Sequence, residues 1–254
     1  MHKPTERVLK ILLTLASEKE KLTLTEISEK TNIPKSTISP ILSTMVEMKF
    51  LSKKDDQKYK TGINTFVVGE TYIESTSILE MIKSNMNEIV KECNEICQLG
   101  IIQQDKVFYI AKKEPKQSIQ LVSYVGKFLP LYSTALGKVL IVNMTNDEIR
   151  KLIGNEMTPL TENTITDMDM FLEEIDKVRV NGYAYDLKET SLDSMCVAVP
   201  IVKDNKVISA MSVSVPAYRS DKEKFDEILK ILNKHKNIIE DALEYTKFKD
   251  EDLI

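Results

Sequence analysis

The chain has 254 residues, 42% hydrophobic and 29% charged, which suits one large or two ordinary domains with a real core. No segment joins a basic start to an apolar run and none approaches membrane-spanning length, so a soluble cytoplasmic protein with no membrane partner is expected. Three cysteines build no disulfide framework, in keeping with a reducing compartment. The net charge of -4 is unevenly spread. Residues 1–60 carry 12 Lys and Arg against 8 Asp and Glu, the remainder 23 against 31. Attraction to a phosphate backbone acts over about a Debye length, so the local positive excess is what counts.

Taken in chain order, Val8, Ile11, Leu12 and Leu15 recur at helical spacing and predict a first helix over about 5–17. Thr23-Leu24-Thr25-Glu26 is a capping box for a second helix, and Asn32 stands where a turn needs a left-handed residue. Pro34 opens a third helix with Ile38, Ile41, Leu42 and Met45 inward. Its outer face holds Lys35, Ser36, Thr37, Ser39, Pro40 and Ser43. Residues 50–54 and 58–62 then read as two strands around a tip bearing Lys53, Lys54, Lys58 and Lys60.

That order is a winged helix-turn-helix, whose partner is duplex DNA. Small hydroxyl groups and a lysine near a helix start suit close approach to phosphates and base edges. An isolated helix with this face would read as merely solvated; the capped helix before it and the strands after it favour DNA. Thr23, Lys35, Ser36, Thr37, Ser39, Pro40, Ser43, Lys53, Lys54 and Lys58 are the candidate contacts. Pro40 is discordant, because proline past the first turn is expected to kink or shorten a helix.

Residues 63–77 read as a linker helix, where Gly69 suggests close approach to another backbone. A long helical stripe follows from Ile78 or Leu79 through Ile82, Met86, Ile89, Cys93 and Cys97. Two cysteines one turn apart are either a metal or redox pair or two small apolar residues in a packed face. With only His2 and His235 in the chain, the packed face is the simpler reading.

Beyond this, strands are predicted at 99–102, 107–112, 118–124, 195–202 and 207–215. Helices are predicted after Ser133, Thr145, Thr166 and Ser220, each read as a cap. Hairpins mixed with helices give an α+β domain with a largely antiparallel sheet. No phosphate-binding glycine loop or nucleophile–base arrangement emerges, so neither catalysis nor a cofactor or metal is expected. Ser212 and Ser214 share one face of a strand, where they are either satisfied in the core or lining a pocket.

Three segments together resemble the IclR family of transcription regulators. They are Ile33-Pro34-Lys35-Ser36-Thr37 within the N-terminal module, Pro130-Leu131-Tyr132-Ser133-Thr134-Ala135-Leu136-Gly137-Lys138, and a composite C-terminal set. The last comprises Gly182-Tyr183-Ala184-Tyr185-Asp186, Cys196-Val197-Ala198-Val199-Pro200-Ile201 and Ser212-Val213-Ser214-Val215-Pro216. The resemblance implies a homodimer or homotetramer whose C-terminal domain, related to GAF and PAS sheets, binds a small-molecule effector, often an organic acid. It places Ala135, Leu136, Asp186, Cys196, Ser212 and Ser214 around the effector and favours the pocket for the two serines. Lys188 and Glu189 after Asp186, Asp193-Ser194 before the cysteine, and Val215 in place of a frequent glycine depart from the family pattern.

The expected organisation is a winged helix-turn-helix over 1–62, a linker helix over 63–77, and an effector-binding and oligomerisation domain over 78–254. The expected function is effector-modulated binding to a double-stranded operator. Two rivals stand beside it: a thiol- or metal-responsive regulator using Cys93 and Cys97, and a small-molecule enzyme dependent on Cys196.

Overall fold

The computed structural model describes residues 2–18, 20–53, 56–74, 77–116, 124–154 and 156–244. Two compact units divide the chain, Met1–Ser77 and Ile78–Ile254.

The first unit runs α1 (Lys3–Ser17), β1 (Leu22–Thr23), α2 (Leu24–Thr31), α3 (Lys35–Glu47), β2 (Leu51–Lys53), β3 (Lys58–Thr61) and α4 (Ile63–Glu74). Its antiparallel sheet is ordered β1-β3-β2, so the wing carries a short strand beyond the predicted pair. The capping box is formed: Thr23 N donates to Glu26 Oε2 at 2.7 Å and Glu26 N donates to Thr23 Oγ1 at 3.3 Å. Asn32 adopts φ 55° and turns the chain toward α3, whose Ile38, Leu42 and Met45 meet Ile11 and Ile27 in the core. Contrary to expectation, α3 runs on through Pro40. The proline denies the Ser36 carbonyl its amide partner, but the outer side of the helix leaves that carbonyl to solvent.

In the second unit, α5 (Ser77–Cys93) leads to β4 (Ile96–Gln103), β5 (Lys106–Lys113) and β6 (Phe128–Pro130). Three helices follow, α6 (Ala135–Leu140), α7 (Asn146–Ile153) and α8 (Met168–Asn181). β7 (Ala184–Leu187), β8 (Ser194–Lys203), β9 (Lys206–Pro216) and α9 (Lys222–Glu244) complete it. The six strands are ordered β6-β5-β4-β9-β8-β7, every neighbouring pair antiparallel. Asp204 and Asn205 take φ 50° and 61° in the β8–β9 turn, as a two-residue hairpin requires.

Alternation along the strands gives the sheet two different faces. Leu99, Val197, Val199, Met211 and Val213 pack under α5 and α9 with Ile82, Met86, Phe225 and Leu232. Ala184, Ala198 and Ala210 face the other way, toward α6 and α8 with Leu136, Val139, Phe171 and Ile175. Between α5 and α9, the buried His235 holds Asn85 Oδ1 at 2.9 Å and Glu92 Oε1 at 3.0 Å. Arg179 ties α8 to the segment before α7, donating to the carbonyls of Val142 at 3.1 Å and Met144 at 2.5 Å.

Several expectations need correction. Cys93 and Cys97 share no helical face: Cys93 ends α5, Asn94 turns the chain at φ 55°, and Cys97 lies in β4. Three of the four caps predicted in this unit are one residue early, while Thr145 caps α7 as expected. Thr134, Asp167 and Asp221 accept the helix-start amides, rather than Ser133, Thr166 and Ser220. β6 and β7 were not foreseen. Of the predicted strand at 118–124, residues 118–123 lie outside the described residues, and Tyr124 is not in a strand. Within this chain, a Cβ on Gly69 would meet nothing within 4 Å, so the close backbone approach expected there is not made inside the chain.

Gly137 fixes how closely α6 approaches the segment before it, since a Cβ there would stand 2.1 Å from the Leu131 carbonyl oxygen. Gly137→Ala is expected to lower stability by about 1–3 kcal/mol, the usual cost of forcing a packed backbone apart. A thermal melt checks it; an unchanged midpoint rejects the contact as rigid.

Candidate functional site: a buried polar cavity and an exposed reading face

On the candidate reading face, Lys35, Ser36, Ser39, Pro40 and Ser43 are exposed on α3, while Thr37 is half-buried. The Ser43 hydroxyl donates to the Ser39 carbonyl at 3.2 Å. Thr23 is committed to its capping box, with its hydroxyl 2.7 Å from Glu26 Oε2. That box holds the Glu26 carboxyl below its ordinary value, first through the Thr23 amide. Lys53 is exposed in β2, 5.4 Å from the Tyr59 ring centre, and Lys58 is half-buried at the start of β3. Lys54 lies outside the described residues. Pro40 borders an apolar groove formed with Val8, Leu12, Ile41 and Met45, so it serves two surfaces at once.

The second unit holds a small, partly open cavity of about 30 Å³ between its sheet and the start of α6. Ala135, Leu136, Asp186, Cys196, Ser212 and Ser214, all singled out from sequence, meet there. Strand register does the gathering: Asp186 faces Cys196, Cys196 faces Ser214, and Ser212 faces Gln98. Side chains that sequence reasoning missed complete the lining. Gln98 comes from β4, and Tyr109 from β5 next to an irregularity in the β4–β5 register at Leu99/Gly100. Leu129, Thr134, Thr190, Ser191 and Ser194 supply the rest. A buried Gln in an apolar strand was the one available local signal.

Hydrogen bonds order this wall. Cys196 Sγ is 3.0 Å from Ser214 Oγ, and Gln98 Oε1 accepts from Ser212 at 3.5 Å and Ser214 at 3.4 Å. The buried Asp186 uses Oδ1 to accept from the amides of Glu189 at 2.7 Å and Thr190 at 3.3 Å. It therefore shapes the loop after β7 as well as lining the cavity. Thr190 Oγ1 donates to the Ser133 carbonyl at 2.7 Å, joining that loop to the segment before α6.

Below, the fully buried Lys138 donates to Glu189 Oε1 at 2.5 Å and to the Tyr185 carbonyl at 2.9 Å. Burial pushes the Asp186 and Glu189 carboxyls up, with hydrogen bonds opposing it at Asp186 and Lys138 opposing it at Glu189. Burial likewise raises the Cys196 thiol and the Tyr109 phenol.

Chemically, the cavity offers hydroxyls, an amide, a thiol and one carboxyl group, and among the described residues its lining includes no Lys, Arg or His. Among the described residues no His or Lys lines the cavity beside Cys196, and burial together with the Asp186 carboxyl facing it raises the thiol, which disfavours a thiolate nucleophile there. Among the described residues, no group of three or more His, Cys, Asp and Glu is placed to hold a metal. Likewise, no helix among them is long and apolar enough to cross a membrane.

Comparison with known proteins agrees along the chain. The profile described as IclR helix-turn-helix domain matches residues 4–55, and that described as Bacterial transcriptional regulator IclR C-terminal matches residues 70–240. The HTH-type transcriptional regulator KdgR of Escherichia coli K12 is 30% identical over 230 residues, 89% of this chain and 87% of that protein. The IclR structure from Thermotoga maritima superposes with a TM-score of 0.79 at 29% identity, covering 96% of this chain and 100% of that one. An IclR homolog from Microbacterium hydrocarbonoxydans, solved with 4-hydroxybenzoate, shares the fold with a TM-score of 0.79 at 19% identity, over 94% and 98% of the two chains.

The raised Asp186 carboxyl has a measurable consequence. The folded state holds this proton more tightly than the unfolded chain, so its contribution to stability falls as pH rises from 3.8 through the raised folded value. Asparagine keeps an oxygen for the two loop amides but has no proton to lose. Asp186→Asn should therefore gain in melting temperature relative to the parent as pH rises from 4 to 7. A difference that stays flat over that range would refute a buried, proton-retaining carboxyl.

Proposed function

The chain belongs to the IclR family of bacterial transcription regulators, and from that membership we propose that its operator affinity is set by a small organic-acid-like effector held in the cavity of residues 78–254. DNA binding is the role of the first unit. In the proposed complex Lys35, Ser36, Thr37, Ser39 and Ser43 of α3 face the major groove, with Lys53, Lys54 and Lys58 of the wing on phosphates. Thr23 and Pro40 flank that face. The short side chains of α3 leave much of the discrimination to DNA shape.

The observation that carries this reading is the pairing of an exposed hydroxyl-and-lysine helix in one unit with a buried polar cavity in the other. Ala135 and Leu136 stand at the start of α6, where the first amides of a helix lack carbonyl partners and can receive a carboxylate. Asp186, Cys196, Ser212 and Ser214 would complete the contact. The Microbacterium homolog was solved with 4-hydroxybenzoate, an organic acid. A cavity of about 30 Å³ holds about two waters, so an effector of that size must part the loop after β7 from α6. Ligand binding is thereby tied to a change of conformation, the requirement for coupling between two sites.

Assembly as a homodimer or homotetramer follows the same reading. Leu9 and Leu13 of α1 and Ile63, Phe66, Val67 and Val68 of α4 are exposed apolar residues on the reading unit. Burying them against a second copy would pair two readers on a pseudo-palindromic site.

Gel-shift titration against the chain's own upstream DNA at several salt concentrations tests the output. Lys35→Ala should weaken binding evenly across sequences and reduce the log–log salt slope by about 1. Undetectable or salt-insensitive binding by the parent protein rejects the proposal.

A further inference from the structure

Gln98 lies directly across from Ser212 in the β4–β9 register, and the Ser214 hydroxyl projects from the same face. The amide is buried, with Oε1 accepting from Ser212 Oγ at 3.5 Å and Ser214 Oγ at 3.4 Å. A hydroxyl owns one proton. Once Ser214 turns that proton to Gln98, its contact with Cys196 Sγ at 3.0 Å requires the thiol to be the donor. Burial keeps the thiol proton in place, so the chain of donors is consistent from end to end. Both serine oxygens then have only lone pairs left for the cavity. On the far side Ser212 faces Ala198, whose methyl group offers no competing partner.

We propose that Gln98 is a specificity-determining residue of the cavity, which takes the protons of Ser212 and Ser214, makes the sheet wall a row of acceptors, and selects ligands that present a hydroxyl to it over ligands that present a keto oxygen. The inference rests on the effector-pocket reading above. The rest of the described lining agrees with it: Asp186 Oδ1 accepts from two loop amides, and among the described residues no Lys, Arg or His lines the wall. A keto oxygen placed here sets lone pair against lone pair. A hydroxyl donates to a serine, polarises that serine's own O–H, and tightens its bond to Gln98. Both serine–amide separations exceed the usual O–H···O range of about 2.5–3.0 Å, so these bonds are weak at rest and have room to tighten. The opposite amide orientation would turn the serines into donors and reverse the preference.

The test uses the full-length protein and three probe pairs that differ only at C2: lactate and pyruvate, 2-hydroxybutyrate and 2-oxobutyrate, 2-hydroxyglutarate and 2-oxoglutarate. Thermal shift screens them, and calorimetric titration gives the affinity ratio. In pairs that bind, the hydroxy acid is expected to be favoured by about 10-fold or more, because buried polar groups left unmatched penalise the other member. Gln98→Met, similar in volume and lacking the amide, should bring the ratio to about 1, whereas Gln98→Glu, which retains an acceptor oxygen, should preserve it.

A wild-type preference for the keto acid, or equal affinity, overturns the inference without any variant. So does a ratio that Gln98→Met leaves unchanged. Binding that survives Ala135→Trp, which fills the cavity, or absence of binding by every probe overturns the pocket reading instead.

Discussion

Period-two alternation along the central strands is the constraint on which the second unit rests. In β9, Met211, Val213 and Val215 enter the core under α5 and α9, while Ser212 and Ser214 between them face the cavity. β8 does the same with Val197 and Val199 against Cys196. The residues that stabilise the sheet and those that would meet a ligand are interleaved one by one. A one-residue slip would put hydroxyls into the core and valines into the cavity, so the hydrophobic demand of one face enforces the register of the other.

Closure of the cavity depends on a second, polar constraint. Lys138 and Glu189 form a buried pair, and Asp186 and Thr190 fasten the loop above it to the segment before α6. Breaking such a pair costs far more than making it contributes, because the partner left behind is a buried charge. The arrangement therefore acts less as a source of stability than as a specification of one loop conformation.

Local signals were legible in the sequence and non-local ones were not. The capping boxes at Thr23 and Thr145 need only four residues, and both form. Where two candidate caps are adjacent, as at Ser133-Thr134 or Ser220-Asp221, composition cannot choose between them and packing does. Cys93 and Cys97 looked like one helical face because nothing in the apolar pattern marks the left-handed turn at Asn94. Six cavity residues could be placed through family likeness together with strand periodicity. Gln98 and Tyr109 escaped because their roles come from pairing across the sheet and from the irregularity beside Leu99, which no linear pattern encodes.

The small size of the cavity has a consequence for how the proposed sensor would be tuned. When the competent, open form is a minor fraction of the population, apparent affinity is the intrinsic affinity scaled by that fraction. Selectivity would then reside in the cavity wall, whereas the concentration at which the protein responds would be set by how firmly the loop after β7 is held to the segment before α6. In the proposed sensor, weakening the Lys138–Glu189 pair, neither member of which lines the cavity, would move the response threshold more than the choice of ligand. The two properties can drift independently, so relatives with the same chemical taste can be set to different metabolite levels.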